Sequence, residues 1–336
     1  MKKYIATILK ILFPFILGGG ILYWMYRNFP FSDLDDILFH QMHWEWMFLS
    51  FIPGILAQVF RGLRWKQALG PLGEHPRKGV CINAIFISYA ISLIIPRSGE
   101  IMRCGILKSH DGTSFGKSLG TVITERIVDS AIMLLLTATV LLYQLPVIIE
   151  FFNLTGTGFT GLLHKFTTTG IIVTIVCVLL IILMVFVGIK QFSVAKKIKD
   201  AIRDIIDGIL SLRKVHNMPL YFFYSVGIWV AYFLHYWLTF YCFDFSAGMG
   251  LTAALISFCI GSIAVIVPTP NGAGSWHFAV KTILVLYGMD QINAVSFVLI
   301  VHSVQTLLLI ALGIYALFAL QFIHPRNNNL SEEDTL

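Results

Sequence analysis

The sequence contains 336 residues, of which 57% are hydrophobic and only 12% are charged, and its formal net charge is +6. Globular proteins average about 45–50% apolar and about 25% charged residues, so this composition excludes an ordinary soluble domain. The positive charge suits contact with anionic membrane lipids, and nucleic acid is not among the partners that we predict.

Six apolar runs are long enough to cross a bilayer, whose hydrocarbon core requires about 20 helical residues. They cover approximately residues 4–26, 45–66, 117–143, 168–190, 219–243 and 291–321. The first run follows Lys2 and Lys3 but lacks a cleavage site of small residues, so we interpret it as an uncleaved helix. The pattern predicts an all-α integral membrane protein.

Two further apolar segments, 80–95 and 251–267, are too short to cross. As helices they would rise about 24–26 Å, against a hydrocarbon core of about 30 Å. Each ends at a break rich in proline and glycine and continues as a short apolar limb, which predicts re-entrant hairpins at 80–107 and 251–287. The break residues are Pro96 and Gly99 in the first hairpin, and Pro268, Pro270, Gly272 and Gly274 in the second.

The placement of lysine and arginine predicts the orientation, because short cytoplasmic loops are enriched in these residues. If both hairpins re-enter, the basic loops near 61–78 and 190–214 and both termini lie in the cytoplasm. The two halves of the chain then have opposite orientations, with Pro96 and Pro268 at equivalent positions. Such inverted repeats with interrupted segments are typical of transporters that bind substrate near the membrane midplane.

We therefore predict six spanning helices plus two re-entrant hairpins in an inverted-topology repeat. The predicted parts are a first half at 1–143, an outside loop and fourth spanning helix at 144–190, an amphipathic cytoplasmic helix at 191–217, the rest of the second half at 218–323, and a cytoplasmic tail at 324–336. The helix at 191–217 places isoleucines on one face and charged residues on the other, which favours a position on the inner leaflet. A plain cytoplasmic linker is the alternative.

The first group of candidate site residues is Arg97, Glu100 and Arg103, beside Pro96. Charged side chains at membrane depth are usually paired or functional. Arg97 also lies next to the beginning of the returning limb, where free N–H groups favour an anion such as a lipid phosphate. The alternative is that Glu100 and Arg103 only pair with each other.

The second group lies in "TERIVD", where Glu125, Arg126 and Asp129 are three or four residues apart on a predicted helix. We interpret it as an ion network that ties this helix to the first hairpin, in preference to a proton relay. Arg61 and Arg64 in "RGLRW" are predicted at the cytoplasmic end of the second helix. They would serve as positive-inside anchors or capture headgroups from the inner leaflet.

The third group lies in the second hairpin. Asn271 or Ser275 is expected to cap the returning limb, which carries His277 and, one turn later, Lys281. A lone histidine in a helix bundle is more often structural than a ligand, and the alternative is a hydrogen bond to substrate. We find no catalytic nucleophile, ATP-binding or metal-binding motif, so we predict no enzyme activity and no cofactor or metal.

Taken together, four stretches resemble the flippase-like family that is also named for the transmembrane region of lysylphosphatidylglycerol synthase. They are "RGLRW" (61–65), "IPRSGEIMR" (95–103), "TVITERIVD" (121–129) and "PTPNGAG" (268–274). In that family, the multiple peptide resistance factor joins such a membrane domain to a cytosolic aminoacyl transferase. The resemblance implies a stand-alone membrane module without the synthase domain. The chain departs from the family at Pro270-Asn271-Gly272 and His277, where a Pro-Gly-Gly turn and a glutamate are common.

The resemblance and the residues together predict a lipid translocase in a bacterial cytoplasmic membrane. Phospholipid headgroups, anionic or aminoacylated, would cross through a groove between the hairpins. The alternatives are a secondary transporter of a small solute and an accessory membrane subunit of a lipid-modifying synthase. A homo-oligomer and a separate lipid-modifying enzyme remain open as partners.

Overall fold

A computed structural model of the chain describes residues 2–96, 98–144, 215–267 and 269–325. Several predicted features lie outside these residues, namely Arg97, Pro268, the loop at 145–167, the fourth spanning helix at 168–190, almost all of the amphipathic helix at 191–217, and the tail beyond 325. All regular secondary structure in the described part of the chain is helical.

The longer helices are α1 (Lys2–Tyr26), α2 (Trp44–Leu69), α3 (Lys78–Ser92), α4 (Ser98–Asp111), α5 (Phe115–Tyr143), α6 (Met218–Trp237), α7 (Gly250–Ala264), α8 (Ser275–Leu286) and α9 (Gln291–Gln321). Short helical turns at Phe31–Asp33, Leu34–Asp36 and Ile37–Gln41 precede α2, and Gly70–Leu72 follows it. Leu238–Cys242, Asp244–Ala247 and Pro270–Gly272 are further short turns.

The helices confirm five of the predicted apolar runs within one to three residues at most ends. Among the described residues, three helical segments are long and apolar enough to span a membrane, namely Trp44–Leu72, Met218–Cys242 and Gln291–Gln321. Helix α5 is long enough, but its first half carries Lys117, Glu125, Arg126 and Asp129. An integral membrane protein is therefore supported, whereas the number of spans and their orientation stay predictions.

Both predicted breaks separate two packed helices. Helices α3 and α4 pack closely, and a Cβ atom at Gly99 would overlap the carbonyl oxygen of Ser88. Helices α7 and α8 pack in the same way, and a Cβ at Gly261 would lie 2.9 Å from Nε1 of Trp276. The segments are therefore helical hairpins, as the sequence predicted, and their re-entrant path through a bilayer remains a prediction.

The break in the second hairpin needs unusual backbone angles. Asn271 has φ of 52°, and Gly272 and Gly274 have φ of 71° and 87°. Such positive values are readily adopted by glycine and are tolerated by asparagine. The "PNGAG" sequence is therefore suited to reverse the chain between α7 and α8.

Contacts divide the chain into two units, one of residues 1–137 with 205–336, and one of residues 138–204. In the second unit the described residues, 138–144, cover the last residues of α5 and the residue after it. The first unit has two large apolar clusters. The first cluster contains Met47, Phe240, Leu284 and Phe297, and the second contains Trp65, Ile85, Leu107 and Ala316.

Helix α9 connects the two clusters. Its residue Phe297 belongs to the first cluster and Ala316 to the second. At 1.5 Å per residue, these positions are about 28 Å apart along the helix axis. The separation is close to the thickness of a bilayer hydrocarbon core, about 30 Å. The two clusters therefore lie toward opposite ends of a membrane-sized bundle.

Candidate functional site

Five ionisable side chains are buried together beside the second apolar cluster. Arg61 and Arg64 project from α2, Arg103 from α4, and Glu125 and Asp129 from α5. Their exposed fractions lie between 0% and 5%. We refer to these five residues as the arginine cluster.

The sequence positions these side chains through helical spacing and one glycine. Arg61 and Arg64 are three residues apart, and Glu125 and Asp129 are four apart, so each pair shares a face of its helix. Between the two arginines, a Cβ at Gly62 would lie 2.8 Å from Cα of Ile82. Glycine therefore permits the close approach of α2 to α3, next to the arginines.

Each carboxylate in the cluster contacts two guanidinium groups. Arg61 Nη1 lies 2.7 Å from Asp129 Oδ2, and Arg64 Nη1 lies 2.7 Å from Asp129 Oδ1. Arg64 Nε lies 3.5 Å from Glu125 Oε1, and Arg103 Nη2 lies 2.8 Å from Glu125 Oε2. Asp129 and Glu125 thus link three helices through charge-assisted contacts.

Aromatic and hydroxyl groups surround the arginines. The Arg103 guanidinium lies 4.5 Å from the centre of the Trp65 ring, whose Nε1 donates to Thr121 Oγ1 at 2.9 Å. The Arg61 guanidinium lies 5.8 Å from the Tyr232 ring and 5.9 Å from the Tyr89 ring. The faces of these aromatic rings stabilise the buried cations through cation–π interactions.

The charges in the cluster do not balance. Three guanidinium groups face two carboxylates, which leaves one excess positive charge. Within the described residues, no hydrogen-bond acceptor contacts Arg64 Nη2, or Nε and Nη1 of Arg103. An unpaired buried donor costs about 1–3 kcal/mol, and more when it is charged. The cluster therefore has both the charge and the donors to bind an anion.

The ion pairs connect α4 to α5, as the sequence predicted. The two charged residues of α4 pair with residues of α5 and not with each other. Arg103 pairs with Glu125, and Glu100 pairs with Arg126 at 2.7 Å between Oε1 and Nε. The alternative pairing of Glu100 with Arg103 is therefore wrong. Side chains of Glu100 and Arg126 remain 30% and 46% exposed, beside the buried cluster.

Arg61 and Arg64 do not lie at the protein surface, where a positive-inside anchor is expected to lie. Their exposed fractions are 3% and 0%, and both contact Asp129 inside the bundle. The sequence showed two arginines near a helix end, but it did not show that carboxylates from α5 neutralise them. Arg97, which lies between Pro96 and the first residue of α4, is outside the described residues.

The second hairpin forms a separate polar group. Nδ1 of His277 accepts a hydrogen bond from the Gly274 N–H at 3.3 Å, and the His277 and His302 rings are 4.4 Å apart. Asn271 Nδ2 donates to Thr306 Oγ1 at 2.9 Å, instead of capping α8. The expectation that Asn271 or Ser275 caps α8 is not met, since the N-cap residue is Gly274, whose N–H donates to His277.

The structure does not bring all predicted site residues together. Among the described residues, no ion pair or hydrogen bond joins Asn271, His277 or Lys281 to the arginine cluster. Lys281 lines a different cavity, near the end of α1. These contacts do not link the polar residues of the two hairpins, and a groove between the hairpins stays a prediction.

Sequence reasoning missed Tyr89, Tyr232 and His302. The hydroxyl of Tyr232 donates to that of Tyr89 at 3.0 Å, although the two residues are far apart in the chain. The only sequence signal of the two tyrosines was a hydroxyl inside an apolar run, which requires a partner when it is buried.

In the described part of the chain, no three His, Cys, Asp or Glu residues are arranged to hold a metal ion.

Comparison with known proteins gives one broad match and one short match. The family model described as "Lysylphosphatidylglycerol synthase TM region" matches residues 11–313. A 76-residue segment, 22% of this chain, is 28% identical to "Glycosyltransferase AglD" from Haloferax volcanii and spans 12% of that protein. No solved structure matches the chain.

Proposed function

Because the chain belongs to the family described as "Lysylphosphatidylglycerol synthase TM region", which points to a role with membrane lipids, we propose that it is a lipid translocase. It moves a phospholipid headgroup between leaflets while the acyl chains stay in the bilayer. The translocation involves no covalent step and no cofactor. Its location is a bacterial cytoplasmic membrane, with both termini in the cytoplasm.

The observation that carries this proposal is the excess positive charge of the arginine cluster. A buried cation without a counter-ion is unfavourable, and a phosphate would neutralise it. Arg64 and Arg103 supply unpaired N–H groups in the planar arrangement that binds phosphate oxygens two at a time. Arg97, by its place beside the start of α4, is expected to add a fourth guanidinium.

A groove on α2, the helix that carries Arg61 and Arg64, supports a lipid over a small solute. The groove, of about 450 Å³, is open on one side and lies between α2 and α6. Its wall is almost entirely apolar and includes Phe60, next to Arg61, and Phe222, Val226 and Val230. A solute carrier is expected to enclose its substrate, whereas an open apolar groove suits an acyl chain.

Glu100 is the acidic group best placed for a cationic headgroup. Its side chain is partly exposed and, among the described residues, pairs with Arg126, whereas Asp129 is buried between two arginines. An aminoacylated lipid would thus place its phosphate at the arginine cluster and its amine near Glu100. Asp129 is assigned to holding Arg61 and Arg64.

The test is lipid exchange between leaflets in liposomes that contain the purified protein. Arg103→Gln removes the excess charge of the cluster, so we expect exchange to fall by at least about tenfold, the effect of losing one charge-assisted hydrogen bond. Arg103→Gln with Glu125→Gln restores one excess positive charge, so exchange should recover in part. Normal exchange by folded Arg103→Gln protein would overturn the proposal.

A second candidate is an accessory membrane module for a transferase. Both comparisons carry names of group-transferring enzymes, a lysylphosphatidylglycerol synthase and a glycosyltransferase. In that case the protein would position a lipid for another enzyme without moving it. The same liposomes distinguish the two, because an accessory module would bind lipid but leave leaflet exchange at the rate of protein-free liposomes.

A further inference from the structure

A second cavity lies at the other end of the bundle from the arginine cluster. It has a volume of about 220 Å³ and is formed by the end of α1, the residues after it, α8 and the beginning of α9. Its wall includes Trp24, Arg27, Asn28, Lys281, Gln291 and Val295. We refer to it as the α1–α9 cavity.

The α1–α9 cavity carries two cations, Arg27 and Lys281. Within the described residues, neither Arg27 nor Lys281 takes part in an ion pair. The acid beside the cavity, Asp290, is engaged as the cap of α9, where its Oδ2 accepts from the N–H of Ile292 at 2.9 Å. The amides of Asn28 and Gln291 add further hydrogen-bond donors.

Aromatic residues place this cavity at the level of lipid headgroups. Trp24 lies in its wall and is 54% exposed. At the same end of the bundle, the Trp46 ring lies 5.0 Å from Tyr241, which lies 5.8 Å from Trp237. Tryptophan and tyrosine concentrate at the membrane–water interface, so these rings mark a headgroup layer.

Helix α9 gives the distance between the two sites. Val295 lines the α1–α9 cavity. Ala316 belongs to the second apolar cluster, which also contains Trp65, and the Trp65 ring contacts the Arg103 guanidinium. These positions on α9 are about 30 Å apart at 1.5 Å per residue. The cavity and the arginine cluster are therefore separated by about the thickness of a bilayer core.

We propose that the α1–α9 cavity binds a phosphate group at the membrane surface opposite the arginine cluster. Arg27 and Lys281 neutralise the phosphate, and the apolar wall of Trp24 and Val295 contacts the carbon atoms next to it. Pockets for drug-sized ligands have volumes of about 300–1,000 Å³. The α1–α9 cavity is smaller, so it suits a headgroup whose acyl chains remain outside. Naming a phospholipid as the source rests on the proposed function, whereas phosphate binding does not.

The test is equilibrium binding to the purified full chain in an uncharged detergent. Two probes are titrated in separate arms, inorganic phosphate and dihexanoyl phosphatidylglycerol, to distinguish a free anion from a lipid. The double variant Arg27→Gln/Lys281→Gln should weaken binding at one site by at least about tenfold, as expected for losing charged hydrogen bonds. Tighter binding of the lipid than of free phosphate identifies the lipid as the ligand, and the reverse identifies the free anion.

The matched control is Lys78→Gln/Lys108→Gln, which removes the same charge from two exposed lysines away from the cavity. It should bind both probes like the wild type. Should Arg27→Gln/Lys281→Gln not fold, Asn28→Trp fills the cavity and keeps both cations, and it should lose the same site. Unchanged binding of both probes by folded cavity variants would overturn the inference.

The failure of this inference is distinguishable from the failure of the proposed function. Arg103→Gln tests the arginine cluster in the same binding assay. If Arg103→Gln binds and exchanges lipid normally while the cavity variants lose a site, the inference stands and the translocase proposal fails. If only Arg103→Gln loses binding, the cavity is not a phosphate site.

Discussion

Arginine, rather than lysine, makes the buried cluster feasible. A guanidinium group is planar and weakly hydrated and forms several hydrogen bonds at once, so Asp129 can receive Arg61 and Arg64 on its two oxygens. Arg103 adds a ring contact with Trp65 that an ammonium group would make less well. The cluster thereby keeps three cations buried with only two carboxylates.

Replacing Asp129 tests how far the cluster also holds the helices together. Asp129→Asn leaves Arg61 and Arg64 without their shared counter-ion, and breaking a buried ion pair from one side costs about 3–5 kcal/mol. We expect a marked decrease in the melting temperature of the purified protein. Glu100→Gln, in the partly exposed pair with Arg126, is the matched control and should change stability by less than about 1 kcal/mol. Equal melting temperatures for the two variants would show that the buried pairs are not stabilising.

The two hairpins are positioned by different kinds of contact. Helix α4 is joined to α5 through the ion pairs of Arg103 and Glu100. The second hairpin packs on α1, where a Cβ at Gly274 would lie 2.7 Å from the Gly18 carbonyl oxygen. Ion pairs therefore add to the close packing of the first hairpin, whereas the second contacts α1 through close backbone packing.

Glycine substitutions in α4 test the packing of the first hairpin. Gly99→Ala would place its Cβ on the Ser88 carbonyl, and we expect a loss of about 1–3 kcal/mol, as for other overpacked sites. Gly105→Ala is the control in the same helix, because no atom lies within 4 Å of its Cβ position. It should be neutral or stabilise by up to about 1 kcal/mol, since alanine favours helix. Denaturation of both variants in detergent provides the measurement, and a stable Gly99→Ala protein would refute the close contact.

At the scale of the whole molecule, two polar sites lie at opposite ends of one apolar bundle. Helix α9 passes from the cluster around Phe297 to the one around Ala316, over about a bilayer core. An amphiphile that crosses the membrane needs a site for its polar group at each surface. The arrangement therefore agrees with the translocase proposal and makes its orientation testable.

Accessibility of single cysteines tests the inverted repeat. In a version without native cysteines, cysteine at Gly112 or His216 should react with an impermeant reagent only from the cytoplasm, if both hairpins re-enter as the sequence predicts. Cysteine at Gly158 or Asp290 should react only from outside. Labelling of position 112 from outside would mean that the first hairpin spans the membrane, and the inverted repeat would be rejected.

The sequence by itself determined the membrane class, the family, most helix ends and the two hairpin breaks. These follow from local properties, since apolar run length, proline and glycine act within a few residues. The sequence also indicated that Glu125 and Asp129 needed partners, because charges in apolar helices are rarely left alone.

Only the tertiary structure decided which residues became partners. Arg103 and Glu100 are three residues apart and could pair with each other within α4, yet each contacts α5, because α5 places an opposite charge against each of them. The imbalance of charge in the arginine cluster and the separate α1–α9 cavity likewise depend on which helices meet. Contacts between residues distant in the chain are set by packing, and no local pattern in the sequence specifies them.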